Sequence, residues 1–209
     1  MPEDTIFNFV FAFYRSCGGR TVFYREGWHM SVNVKAVLMD EAAVKRALTR
    51  ISHEILEKNR GAQDVVIIGI RRRGAELARR IAENIKNIEG VAVPYADIDI
   101  SFYRDDLTAV GKSPLVEKAS LDFSVVSKNV VLVDDVLYTG RTARAAIEAV
   151  FSLGRPKSIQ LAILIDRGHR ELPIRADYVG KSVPTSHNEQ VSVSIPPFEE
   201  ETAVMLLDR

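Results

Sequence analysis

Apolar residues change their spacing several times along the 209-residue chain, and each change marks an element. After Asp40, the positions Val44, Ala47, Leu48, Ile51 and Ile55 return every three or four residues. This predicts a helix running to about Arg60, with Asp40 as its cap and Gly61 as its stop. Its other side carries Lys45, Arg46, Thr49, Arg50 and His53. Val65 to Ile70 has no polar side chain, as expected of a strand covered on both faces, and a helix from Ala75 to about Asn87 follows. From Val91 to Phe102 the period becomes two, with Ile98, Ile100 and Phe102 set against Asp97, Asp99 and Ser101. Val130 to Val133 is a further short buried strand, and the Ala-rich helix after it stops at Gly154-Arg155-Pro156. Ser158 to Ile165 is another apolar strand. Such alternation predicts an α/β fold, a mostly parallel twisted sheet with helices on both faces. Short strands at Tyr178 to Thr185 and Val191 to Ile195 are expected to form a small C-terminal hood.

Residues 1–34 read differently from the rest. Ile6 to Tyr14 is apolar but far shorter than the ~20 residues of a membrane span, and Glu3 and Asp4 stand where a signal peptide would be basic. The leading expectation is a poorly ordered, non-catalytic arm, upstream of a natural start at Met30, and the alternative is a short element that packs on a partner subunit; one domain follows over residues 35–209. Tyr103-Arg104-Asp105-Asp106 opens more than twenty residues with Gly111, Pro114 and few apolar anchors, which suits a lid.

Composition narrows the partners without naming them. With 46% apolar and 27% charged residues the chain is an ordinary globular one. Its formal net charge is zero, so a nucleic acid has to be met by a local patch. A single cysteine, Cys17, excludes an internal disulfide framework and points to the cytoplasm, and the four histidines do not cluster at ligand spacing.

The chemistry gathers at strand ends. Asp134 and Asp135 close the Val130 strand, and Val136-Leu137-Tyr138 leads into Thr139-Gly140-Arg141-Thr142, which opens the Ala-rich helix. A helix N-terminus beyond a strand's carboxyl end favours a phosphate, with Thr139 and Thr142 as hydroxyl donors and Gly140 allowing close backbone approach. The two acids would repel that phosphate, so they are expected to accept hydrogen bonds from the vicinal hydroxyls of a sugar. Together they spell a holder for ribose 5-phosphate. Arg71-Arg72-Arg73-Gly74, at another strand end, suits a pyrophosphate. Gly69 and Gly74 imitate a Walker loop, but Ala75-Glu76 replaces the Lys-Ser/Thr pair an NTPase needs. Asp97-Ile98-Asp99-Ile100-Ser101 imitates a haloacid-dehalogenase start, but lies mid-chain behind a complete β-loop-α unit.

The strand, acid pair and Thr-Gly-Arg-Thr turn resemble the phosphoribosyl pyrophosphate motif of type I phosphoribosyltransferases. Four further stretches, Arg46 to Ile51, Phe102 to Leu107, Asp166 to Tyr178 and Gly180 to Ser186, resemble the bacterial pyrimidine-attenuation regulators that are also uracil phosphoribosyltransferases. The likeness covers roughly Lys35 to Ile195. It implies that uracil and phosphoribosyl pyrophosphate become UMP and pyrophosphate, with Mg2+ held through substrate oxygens rather than by protein ligands. It also implies uridine-nucleotide-dependent binding, with UMP or UTP, to an mRNA hairpin, and a homodimer or higher assembly. In that frame Asp134, Asp135 and Arg104 are the expected catalytic residues. Arg72, Arg73, Val136, Leu137, Tyr138, Thr139, Gly140, Arg141 and Thr142 bind the sugar diphosphate, and Arg167 and Val191 the base. Thr49, His53, Arg170, Arg175 and Lys181 are the expected RNA contacts. The alternatives are a hypoxanthine-guanine enzyme and an RNA-binding regulator with residual catalysis.

Overall fold

The computed structural model describes residues 12–17, 20–25, 28–31, 33–70, 72–100 and 121–208. Arg71, Arg104 and nearly all of the expected lid lie outside the described residues. The chain divides into two compact units, one of residues 43–184 and one that joins residues 1–42 to 185–209.

The larger unit is built on five parallel strands. They are β5 (Val65–Ile70), β6 (Tyr95–Ile98), β7 (Asn129–Leu137), β8 (Ser158–Asp166) and β9 (Tyr178–Ser182), in the order β6-β5-β7-β8-β9. Three helices accompany them: α1 (Glu41–Asn59), α2 (Arg73–Glu89) and α3 (Arg141–Leu153). Alternate residues Val66, Ile68, Ile70, Val130 and Leu132 join Ala143, Ala146, Ala149 and Val150 of α3 in one buried cluster. The intervening Val65, Ile67 and Val131 are also buried, and by strand alternation they face the opposite side of the sheet. Small alanines let α3 lie close to the sheet, while α2 closes its own core with Leu77, Ile81 and Ile85. All five positions of the expected α1 stripe are buried. Ser52 joins them with its hydroxyl donated to the Leu48 carbonyl (2.8 Å). The α1 helix ends one residue before the expected limit because Arg60 itself takes positive φ (57°), and Gly61 N–H closes back on the Leu56 carbonyl (2.9 Å).

Two differences from the sequence expectation have simple causes. The β6 strand keeps four residues of the alternating stretch, because its single neighbour β5 ends at Ile70, opposite Ile98. The strand at Tyr178–Ser182 belongs to the main sheet rather than to a hood. Gly180 makes that pairing possible, since a Cβ there would stand 2.4 Å from the Leu164 carbonyl oxygen. Behind β9, Tyr178 donates its hydroxyl to Gln160 Oε1 (2.7 Å), and Gln160 in turn donates to Asn59 Oδ1 (2.9 Å), so the polar groups between α1, β8 and β9 are satisfied.

The smaller unit holds two antiparallel sheets. β1 (Ala12–Cys17), β2 (Arg20–Arg25) and β3 (Trp28–Ser31) form a meander in sequence order. β4 (Asn33–Met39), β10 (Glu189–Ser194) and β11 (Ala203–Asp208) pair in the order β10-β11-β4. The boundary expected between residues 34 and 35 falls inside β4. Val204 to Leu207 are buried at the centre of this sheet, and Lys35 pairs with Glu189 across it.

Gly180→Ala is expected to cost about 1–3 kcal/mol by overpacking against the β8 backbone. Urea unfolding of the two proteins checks this, with a lower midpoint and an unchanged slope.

Candidate active site and nucleic-acid interface

The register of β7 creates the site. On one side β7 pairs with β8 from Asn129 to Leu137, but on the other its pairing with β5 stops at Val133. Asp134, Asp135 and Val136 therefore lie beyond the β5 pairing, half-buried, with a neighbouring strand on one side only among the described residues. The chain leaves β5 through α2 towards β6, and leaves β7 through α3 towards β8, in opposite directions along the sheet. Crevices at such a reversal, at the carboxyl ends of the strands, are where open α/β sheets take ligands.

The α2 side of the crevice depends on two close approaches. A Cβ on Gly69 would lie 2.4 Å from Ala75 Cα, and one on Gly74 would lie 2.6 Å from the Val133 carbonyl oxygen. Bare glycines let the start of α2 rest directly on β5 and β7. Arg72 precedes it at φ 71°, ψ −114°, a conformation costly for a residue with a side chain and typical of functional turns. Arg73 follows, with Nη1 3.9 Å from Asp135 Oδ2. The Arg72-Arg73 turn and the acid pair, separated by about sixty positions in sequence, thus meet in one crevice.

The acids are held by the chain itself. Asp135 N–H donates to Asp134 Oδ1 and Val136 N–H to Asp135 Oδ1, both at 2.9 Å. Burial raises the Asp134 carboxyl well above the ordinary range, and the adjacent Asp135 charge adds to it. Burial raises Asp135 as well, opposed by the Arg73 guanidinium. A ligand that brings hydroxyl donors and positive charge to this pair favours its ionised form.

Leu137 is buried, Tyr138 and Arg141 are exposed, and Thr139 and Thr142 are half-buried around Gly140, the N-cap of α3 at φ 95°. The N-cap Gly140 has no side chain to cap the helix, Thr139 Oγ1 accepts Arg141 N–H only at 3.4 Å, and the first turn carries no acid, so the positive end of α3 favours an anion. The segment after β8 braces the turn from behind. Glu171 and Leu172 donate their N–H groups to the Thr139 carbonyl (3.0 and 3.2 Å), and Glu171 receives Arg141 Nε (2.8 Å). Arg167 is buried, with its guanidinium 4.2 Å from the Tyr138 ring centroid. Val191 is buried in β10 of the smaller unit.

The polar side of α1 forms a second feature. Lys45, Arg46, Thr49, Arg50 and His53 line an open groove of about 470 Å3. Arg50 fixes it to the sheet by donating Nη2 to the carbonyls of Val179 (2.9 Å) and Gly180 (2.8 Å), so Thr49 and His53 are held in register with the β9 backbone next to exposed Lys181. Lys58 pairs with Asp177, two residues after exposed Arg175. Arg170 differs, because its guanidinium turns inward. Sequence reasoning missed the bracing roles of Arg50 and Arg170, which donate to main-chain carbonyls, and of Glu171, whose carboxylate accepts from Arg141 thirty positions away.

Among the described residues no group of three or more His, Cys, Asp or Glu side chains is placed to hold a metal ion, and no helix is long and apolar enough to cross a membrane. Asp134 and Asp135 offer hard oxygen acceptors that would receive hydrogen bonds from the water shell of a Mg2+ carried on substrate oxygens.

A parallel sheet with an arginine turn, an acid pair and a helix start at its switch point has the architecture of a phosphoribosyltransferase. Residues 37–195 match the phosphoribosyl transferase domain family, and the chain belongs to it. Its relatives include the bifunctional protein PyrR of Clostridium novyi (strain NT), 58% identical over 175 residues that cover 84% of this chain and 98% of the relative. That of Clostridioides difficile (strain 630) is 58% identical over 172 residues, covering 82% and 97%. Among solved structures, a hypoxanthine phosphoribosyltransferase from Staphylococcus aureus superposes with a TM-score of 0.63 at 22% identity, over 84% of this chain and 93% of its own. At that identity the likeness speaks for the fold alone.

Asp134→Asn provides a test of the acid pair's cost. A carboxyl raised by burial holds its proton in the folded chain where the unfolded chain has released it, so folding stability falls as pH rises through that interval. The variant is expected to melt higher than the parent at neutral pH, with the gap closing as pH drops towards the unfolded carboxyl value of about 4. Thermal unfolding across pH checks the sign.

Proposed function

We propose that this chain is a uracil phosphoribosyltransferase that also lowers expression of pyrimidine biosynthetic genes by binding their mRNA when UMP or UTP is present. The observation that carries the reading is the meeting of Arg73 with Asp135 beside the start of α3. One crevice thereby offers separate groups for the two anionic ends of phosphoribosyl pyrophosphate and for the hydroxyls between them. The identity to PyrR proteins supports uracil rather than a purine as acceptor.

In this reading, the Thr139 to Thr142 turn fixes the 5-phosphate and so orients the ring. Asp134 and Asp135 accept hydrogen bonds from the ribose hydroxyls. The bond from C1 to the pyrophosphate oxygen lengthens before the new C1–N1 bond to uracil forms, the N1 proton passes to the departing pyrophosphate, and the ring carries positive charge near the two carboxylates in between. Arg72, Arg73 and Arg104 stabilise the departing pyrophosphate, while the main chain at Val136, Leu137 and Tyr138 shapes the sugar side and Arg167 serves the base. Mg2+, bound through substrate oxygens, supplies charge neutralisation on the leaving group. Thr49, His53, Arg175 and Lys181 face the RNA, with basic groups at phosphates and Thr or His at bases. The protein acts in the cytoplasm as a homodimer or larger assembly, and residues 1–34 have no part in catalysis.

Competitive turnover with uracil, hypoxanthine and guanine tests the acceptor. Uracil is expected to dominate, and a purine preference would overturn the assignment. Asp135→Asn is expected to lower kcat by about 100-fold or more, the scale of lost transition-state stabilisation. Arg175→Ala is expected to weaken RNA binding and reduce the slope of log K against log salt by about one. Steady-state kinetics and salt titrations measure both.

A further inference from the structure

Arg170 lies in a stretch whose resemblance points to RNA, yet its side chain is directed away from solvent. Its Nη1 donates to the carbonyls of Tyr138 (2.8 Å), Gly168 (3.0 Å) and Leu137 (3.3 Å), and its Nε to that of Ile174 (3.0 Å). Its Nη2 pairs with Asp166 Oδ2 at 2.6 Å, while Asp166 Oδ1 accepts Gly168 N–H at 3.0 Å. The planar, five-donor fork of an arginine is needed to serve four carbonyls and a carboxylate at once. Only about a fifth of the side chain remains exposed.

The positions of these carbonyls carry the argument. Leu137 and Tyr138 lead directly into Thr139 of the phosphate turn, and Ile174 directly precedes Arg175. A second tie runs parallel to the first, since Glu171 and Leu172 N–H groups reach the Thr139 carbonyl and Arg141 reaches Glu171. The side chains of Leu172 and Ile174 also lie behind Gly140, 3.4 and 3.6 Å from where its Cβ would be. The turn and the segment that presents Arg175 are therefore braced on each other.

We infer that Arg170 is a positioning residue that couples the nucleotide's phosphate turn to the RNA-facing segment at Arg175, and does not contact RNA itself. The inference rests on the function proposed above. A side chain acting as a strut and one acting as a charge respond differently to lysine. Lysine keeps the charge but cannot bridge four carbonyls, so a strut is lost in Arg170→Lys as fully as in Arg170→Gln, whereas a phosphate contact largely survives.

The test is a titration of the intact chain against a labelled leader transcript of pyrimidine biosynthetic genes from the same genome, with and without saturating UMP, over a range of salt. In both R170K and R170Q, the factor by which UMP tightens RNA binding is expected to fall at least about fivefold, a typical coupling magnitude. The salt slope is expected to stay at the parent value. R175A is expected to keep the UMP factor and lose about one unit of slope. Retention of the parent UMP factor by R170K, or loss of a unit of slope in R170Q, would overturn the inference and leave the proposed function standing. A parent chain with no UMP-dependent binding would remove the function and the inference together. Should the variants not fold, hydrogen exchange on the parent decides: UMP is expected to slow the amides of Leu172 and Ile174, and unchanged exchange there contradicts the coupling.

Discussion

The structure turns on a backbone contact. Gly74 lies against the Val133 carbonyl at the point where β5 leaves β7, and a methyl group there would stand 2.6 Å from that oxygen. Because α2 can start so close to the sheet, the arginine turn comes within 3.9 Å of Asp135. Because β7 continues past that point with β8 alone, its two acids are exposed to a ligand rather than covered by a strand. The strained φ of Arg72 and the raised carboxyl pair are both costs of folding, and both sit in this crevice. Conformational strain and half-desolvated charge in one place are what a preorganised site for a dianion and a developing cation requires.

The segment after β8 gives the molecule its second theme. It is neither helix nor strand from Arg167 to Asp177, yet its main chain is tied to the phosphate turn and its far end is tied to α1 through Asp177 and Lys58. The α1 helix is in turn fixed to β9 by Arg50. The crevice and the basic groove are thus linked within one compact unit by the main-chain bonds to Thr139, the Lys58–Asp177 ion pair and the Arg50 guanidinium. The coupling inferred above needs such a path, since two sites influence each other only through contacts that both of them bias.

Much of this was legible because the controlling residues are local. Val130 to Val133 followed by two acids and Thr-Gly-Arg-Thr predicts strand, turn and helix in the order found, and the α1 stripe needs only its period. What local pattern cannot carry is pairing across the chain. Ala203–Asp208 follows the acidic run Glu199-Glu200-Glu201 and reads as part of an acidic tail, but it is the central strand between β4 and β10, which come from opposite ends of the sequence. Tyr178–Ser182 reads as hood because nothing in its own composition records that Gly180 must pass close to Leu164. Arg170 shows the same limit for a side chain: its positive charge is visible, whereas the carbonyls that absorb it belong to residues of every type.

Hydrogen exchange of the intact protein on addition of phosphoribosyl pyrophosphate with Mg2+ tests the central claim most directly. Amides at residues 72–75 and at residues 139–142 are expected to slow together, since one ligand spans both turns. Slowing at one turn alone, or at neither, would contradict a single crevice that holds the activated sugar by both of its anionic ends.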